Sequence, residues 1–139
     1  MALGHEKLDF YQLAIIYVAW VFKQVEKLDG VYRHARDQWL RASQSIPLNI
    51  AEGNGKTTEP DRRRYFEIAR GSVLECAAIQ DVLVVGGALD ENVSLERKRD
   101  LDRMAAMLSR LGKRGYVVRE ENPEYDTDTD SDPDTDQTC

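Results

Sequence analysis

Residues 41–56 read RASQSIPLNIAEGNGK, and the fold turns on how that stretch is taken. Ala42, Ile46 and Ile50 recur at helical spacing, extending the apolar positions Trp39 and Leu40 and running on to Ala51. Pro47 stands inside this pattern. A proline within a helix removes one amide donor and crowds the carbonyl four residues back, at a cost of about 3 kcal/mol. The helix therefore needs neighbours that offset the loss, and a kink docked against other helices is expected. Gly53 and Gly55 end the pattern, so a helix over residues 36–53 is expected, with Ser43, Ser45 and Asn49 as its polar inward candidates.

Upstream, residues 9–28 predict a first helix, with Asp9 as N-cap and Gly30 as stop. One stripe is Phe10, Leu13, Tyr17 and Trp20; another is Tyr11, Ala14, Val18, Val21, Val25 and Leu28. Ile15 and Phe22 point elsewhere again, and between Phe10 and Phe22 only Gln12 is polar. A helix apolar around most of its circumference is covered on most sides. A lone four-helix bundle leaves each helix one wet face, so a second partner surface, and hence an oligomer, is expected. The alternative is that Tyr11, Tyr17 and Trp20 lie half-exposed, as scattered surface apolars do.

Downstream, Thr57 or Thr58 can cap a third helix that tolerates Pro60 in its first turn and places Glu59 and Asp61 at its positive end. It runs to Gly86 and Gly87 along two seams. The first is Phe66, Ala69, Val73, Cys76, Gln80, Leu83; the second is Tyr65, Ile68, Ser72, Glu75, Ile79, Val82. Gly71, Ala77 and Ala78 leave room for close backbone approach. A fourth helix over residues 94–113 carries the heptad seam Leu101, Met104, Leu108, Leu111 and is charged elsewhere. Four helices with short links predict an all-α, antiparallel up-down four-helix bundle over residues 1–119.

The net charge of −6 hides an asymmetry. Residues 120–139 hold nine carboxylates and no Lys or Arg, leaving nineteen basic and sixteen acidic residues in 1–119. The segment lacks apolar periodicity and is expected to be a disordered acidic tail. Asp126, Asp128 and Asp130 mimic the start of a calcium loop, but Ser131 and Gln137 stand where that loop needs Gly and Glu. Two cysteines exclude a disulfide framework. The start lacks a signal-peptide pattern, and the apolar run 10–22 is shorter than the roughly 20 residues a bilayer needs. A cytoplasmic protein without membrane contact is expected.

Two side-chain groups invite a functional reading. Ser45, Pro47, Asn49, Glu52, Ser72 and Glu75 gather on the second and third helices. They are expected to form a structural hydrogen-bond network that sets helix register and repairs the backbone near Pro47. A metal or acid–base pair of Glu52 and Glu75 is disfavoured, because di-metal bundles use Glu-x-x-His pairs and neither His5 nor His34 lies in one. No catalytic residue, metal or cofactor is expected. The second group is Lys56, Arg62, Arg63 and Arg64, read either as a solvated face balanced by Glu59 and Asp61 or as a phosphate-binding patch. The acidic segment is a solubilising tail, or folds back on that patch, or docks on a basic partner.

The runs RASQSIPLNIAEGNGK and RRRYFEIARGSVLE together resemble the four-helix bundle family of 23S rRNA intervening-sequence proteins, which is related to the accessory variability determinants of diversity-generating retroelements. The pattern is carried here by Arg41, Ala42, Ser45, Ile46, Pro47, Asn49, Ile50, Ala51, Glu52, Gly53 and Lys56, then Phe66, Ala69, Gly71, Ser72 and Glu75. Lys56 stands where arginine is usual and Asn54 where an aromatic is common. The resemblance covers residues 9–115. It implies a homopentamer around a central channel, no established enzymatic activity, and partners such as structured RNA, DNA or a reverse transcriptase.

The expectation is therefore a non-enzymatic homo-oligomer with a nucleic-acid-associated accessory or scaffold role. The rival is a protein-interaction module that works through the ring surface or the acidic tail.

Overall fold

A computed structural model describes the backbone of residues 4–120 and the side chains of residues 4, 5 and 8–111. Its four long helices are α1 (Asp9–Val25), α2 (Arg33–Asn54), α3 (Glu59–Val85) and α4 (Glu91–Glu120). Short 3-10 turns occupy Gly4–Lys7 and Gly30–Tyr32, and the described residues include no strand. α2 packs on α1 and α3, and α4 packs on α3 and α1, so the helices enclose one core. The fold is all-α and four-helical, as the periodicity predicts. The acidic segment lies outside the described residues from position 121 onward.

The buried stripe of α1 is Phe10, Ala14, Tyr17 and Val21, which cuts across the two expected stripes. Leu13 and Trp20 flank it half-buried, while Ile15, Ile16 and Phe22 face out, Phe22 with half its surface exposed. Asp9 is the first helical residue rather than the cap, and Leu8 precedes it without a side-chain capping bond.

Pro47 is buried inside an α2 that runs on to Asn54. Its neighbours Ile46 and Ile50 are fully buried, so the strained turn sits in the core, where packing offsets the lost amide bond. Gly53 explains how α2 and α3 come together. A Cβ there would lie 2.9 Å from Phe66 Cε1 and 3.0 Å from Tyr65 Cβ. Gly71 does not have that role: a Cβ would meet nothing within 4 Å, and Ala78 is exposed. The packed face of α3 is its first seam, which is buried throughout, and Gly71 lies off it. In the second seam Ser72 and Ile79 are buried, whereas Ile68, Glu75 and Val82 are exposed.

The helix ends follow side-chain and glycine chemistry. Thr58 Oγ1 accepts from the Asp61 amide at 3.4 Å, with Glu59 and Asp61 in the first turn of α3. α3 stops where Gly87 adopts a φ of 81°, and the Ala88 and Gly87 amides bond back to the carbonyls of Leu83 (2.8 Å) and Val84 (3.0 Å). α4 starts three residues earlier than expected, because Asp90 Oδ2 accepts from the amides of Asn92 (3.0 Å) and Val93 (3.1 Å). Ser94 is thereby placed within the first turn and turned inward. At the same end, the Tyr32 hydroxyl donates to the Gly86 carbonyl at 2.9 Å, joining the α1–α2 link to the α3–α4 link. Among the described residues, no helix is long and apolar enough to cross a membrane.

Candidate nucleic-acid interface

The four expected cations come together at the other end of the bundle, where the chain passes from α2 to α3. Lys56 Nζ lies 3.2 Å from Glu52 Oε2 on the preceding turn and 5.2 Å from the centre of the Tyr65 ring. Arg64 stands over the same ring, its Cζ 5.0 Å from the centre. A tyrosine face attracts cations through its quadrupole, so Tyr65 gathers Lys56 and Arg64 although they belong to different elements. Arg62 Nη1 reaches back to the carbonyls of Asn54 and Lys56, at 3.5 and 3.4 Å, and so braces the link. Arg63 is half-buried and Arg64 exposed.

The hydrogen bond to Glu52, with Tyr65 next in weight, raises the pKa of Lys56 above the ordinary lysine value. Lys56 is therefore a cation at neutral pH. The pair with Glu52 faces water, where solvent and salt screen it, so it is readily exchanged. A phosphate oxygen arriving at this end would meet Arg64 and Lys56 beside an aromatic face. The sequence placed Tyr65 in a packing seam, and the cations at positions 56 and 64 are the signal that it serves the patch instead.

The expected polar network is smaller than the six residues assigned to it. Ser72 Oγ donates to Ser45 Oγ at 2.8 Å, and Asn49 Nδ2 donates to Ser45 Oγ and to the Ser45 carbonyl, both at 2.9 Å. This joins α2 to α3 in the turn around Pro47. The amide that Pro47 lacks would have served the Ser43 carbonyl, so Asn49 binds a different one. Glu52 and Glu75 are exposed and stand outside these bonds. Burying either carboxylate there would cost more than the network returns, so both stay in water.

A second buried network was not read from the sequence at all. Trp39 Nε1 donates to the Tyr17 hydroxyl at 3.0 Å, and that hydroxyl donates to Gln80 Oε1 at 2.6 Å. Gln80 Nε2 then donates to the Ser94 hydroxyl at 3.0 Å and carbonyl at 3.1 Å. One residue comes from each helix. Burial pushes the Tyr17 hydroxyl well above its ordinary range and raises the neighbouring Cys76 thiol to about 12. Both are held neutral, which suits a structural bridge and not a nucleophile. Among the described residues, no group of three or more His, Cys, Asp or Glu is placed to hold a metal ion.

On the outer side of α3 and α4 lies an open groove of about 300 Å³, lined by Val73, Leu74, Ala77, Leu101 and Ala105, with Lys98 and Asp102 at its edge. Lys98 is paired with Asp81.

The comparison with protein families agrees with the double motif. The model described as 23S rRNA-intervening sequence protein matches residues 6–110, which takes in α1, α2, α3 and most of α4. No curated protein matches the chain.

Proposed function

This chain belongs to the 23S rRNA-intervening sequence protein family, and from that premise we propose that it is a non-enzymatic, homo-oligomeric accessory protein that holds nucleic-acid phosphates at the α2–α3 end of its bundle. The observation that carries the reading is the convergence of Lys56 and Arg64 on the Tyr65 ring, beside Arg62 and Arg63. Cations held over the half-buried Tyr65 ring keep their charge together at this end, where a phosphate backbone would meet it. The family name points to ribosomal RNA, so structured RNA is the first partner to test, with DNA or a reverse transcriptase after it.

Self-association is the second part of the proposal. Ile15, Ile16 and Phe22 on α1, and Ile68, Val82 and Val85 on α3, are exposed in the single chain. Copies of the chain that packed through these helix faces would cover them. A ring of copies, with five as the number the resemblance implies, would repeat the cation patch and let weak phosphate contacts add.

The groove between α3 and α4 favours a different reading, in which the ring surface binds protein and no nucleic acid. Recovery of the assembled protein from its own cells, with identification of the RNA and protein that accompany it, separates the two. Enriched RNA that is lost when Lys56 and Arg64 are both replaced by Gln supports the first reading. Recovery of protein partners with no RNA enrichment supports the second and overturns the first.

A further inference from the structure

We propose that the basic end of the bundle is the docking surface for the chain's own acidic segment, residues 120–139, which there competes with nucleic acid. The nucleic-acid half of this statement rests on the function proposed above; the docking half does not.

Three observations carry it. The first is where α4 ends. Gln80 bonds Ser94, Asp81 pairs with Lys98, and Val73 and Ala77 share a groove with Leu101 and Ala105. Positions on α3 and α4 thus run in opposite directions at a steady register, and that register brings residues 113–115 of α4 level with Arg62, Arg63 and Arg64 of α3. The acidic segment therefore leaves the fold at the end that carries the cation patch.

The second is reach. α4 continues to Glu120, about five residues past that level, or roughly 8 Å at the helical rise. The nineteen residues after Glu120 span up to about 60 Å when extended. A short return along the helix end is well within that length.

The third is charge. Residues 120–139 contain nine carboxylates and no cation. From Lys56 to Arg64 the chain has four cations against Glu59 and Asp61. The opposite end has cations too, but there Lys23, Lys27, Arg33, Arg36, Arg97, Lys98 and Arg99 are interspersed with Glu26, Asp29, Asp37, Asp90, Glu91 and Glu96, so little net positive charge gathers. Tethering gives the segment an effective concentration on the order of mM, so weak pairwise contacts suffice. The same contacts are screened as the Debye length falls from about 30 Å at 0.01 M salt to about 3 Å at 1 M.

The test is zero-length carbodiimide cross-linking of the full chain, which couples carboxylates to lysine amines, followed by peptide mass spectrometry. Lys56 reports on the patch, and Lys23 and Lys27 report on the opposite end. Docking gives links from the acidic segment to Lys56 at 20 mM NaCl that disappear at 500 mM and exceed those to Lys23 and Lys27. Equal links to all three, or none to Lys56, overturn it.

A second arm measures binding of a fluorescent RNA hairpin to the full chain and to a variant with Asp126→Asn, Asp128→Asn, Asp130→Asn, Asp132→Asn, Asp134→Asn and Asp136→Asn. Competition makes the variant bind about tenfold more tightly at low salt. Salt-sensitive Lys56 links with no RNA bound by either protein would uphold docking and overturn the nucleic-acid reading. RNA bound equally by both, without Lys56 links, would overturn docking and uphold that reading.

Discussion

The Tyr17 hydroxyl donates to Gln80 Oε1 across 2.6 Å of the core, between two helices sixty-three residues apart in sequence. The same oxygen accepts from Trp39, and Gln80 passes the chain on to Ser94, so one line of polar atoms crosses all four helices. A fully satisfied buried network of this kind specifies a single register among helices that apolar packing alone would let slide.

Tyr17→Phe removes the shared oxygen and leaves the Trp39 N–H and one Gln80 carbonyl lone pair facing each other without a partner. Each buried orphan costs about 1–3 kcal/mol. A loss near 3 kcal/mol is expected, read as a lower urea midpoint with an unchanged slope. The double variant Tyr17→Phe, Gln80→Leu should lose less than the sum of the two single changes. Strict additivity would show that the network is not coupled.

Gly53 and Gly71 should respond oppositely to alanine, although both lie in helices. Alanine is favoured over glycine in a helix by about 1 kcal/mol. Gly71→Ala should gain up to that amount, because a Cβ there meets nothing within 4 Å. Gly53→Ala should lose about 1–3 kcal/mol instead, because the new methyl lies 2.9 Å from Phe66 and must push α2 and α3 apart. Denaturant melts of the two variants give the comparison directly, and equal effects would contradict the packing described.

Alkali should weaken the fold. Cys76 is held at about 12 against an ordinary value of 9.0, and Tyr17 is raised as well. Between those values the folded chain keeps a proton that the unfolded chain releases, so stability is full below pH 9 and falls as pH rises toward 12. The slope per group is at most about 1.4 kcal/mol per pH unit. Cys76→Ala should flatten the fall in urea midpoint between pH 8.5 and 10.5. An identical pH slope in that variant would show that the thiol does not contribute.

The exposed apolar residues of α1 lead to an expectation about assembly. The full chain should scatter light as an oligomer, and Ile16→Glu with Phe22→Glu should reduce its mass while leaving helicity intact. A native chain that is monomeric at high concentration would remove the self-association part of the proposal.

The helices were legible because each announces itself locally, through apolar spacing and through Thr58, Gly86 and Gly87 at the boundaries of α3. The α4 start was missed because Asp90 reads as an ordinary turn residue until its carboxylate is seen under two amides. The four-helix polar line was missed for another reason. Tyr17, Trp39 and Gln80 each fit an apolar seam, and only their meeting in space reveals that the polar atoms of all three face one another. Glu52 and Glu75 erred in the opposite direction: their spacing from Asn49 and Ser72 suggested a shared cluster, yet solvation keeps both charges outside. The cation patch was visible as a run, but Tyr65 as its centre needed the turn between α2 and α3 to be closed.

The central claim is that the α2–α3 end binds nucleic-acid phosphates, and the salt dependence of RNA-hairpin binding tests it most directly. Each engaged cation adds about 0.7–0.9 to the slope of log affinity against log salt. Lys56→Gln with Arg64→Gln spares the Arg62 brace and should lower both the affinity and that slope, the slope by about 1.4–1.8, in the full chain and in the six-Asp→Asn chain alike. An affinity and slope unchanged from the parent in both backgrounds would contradict the claim.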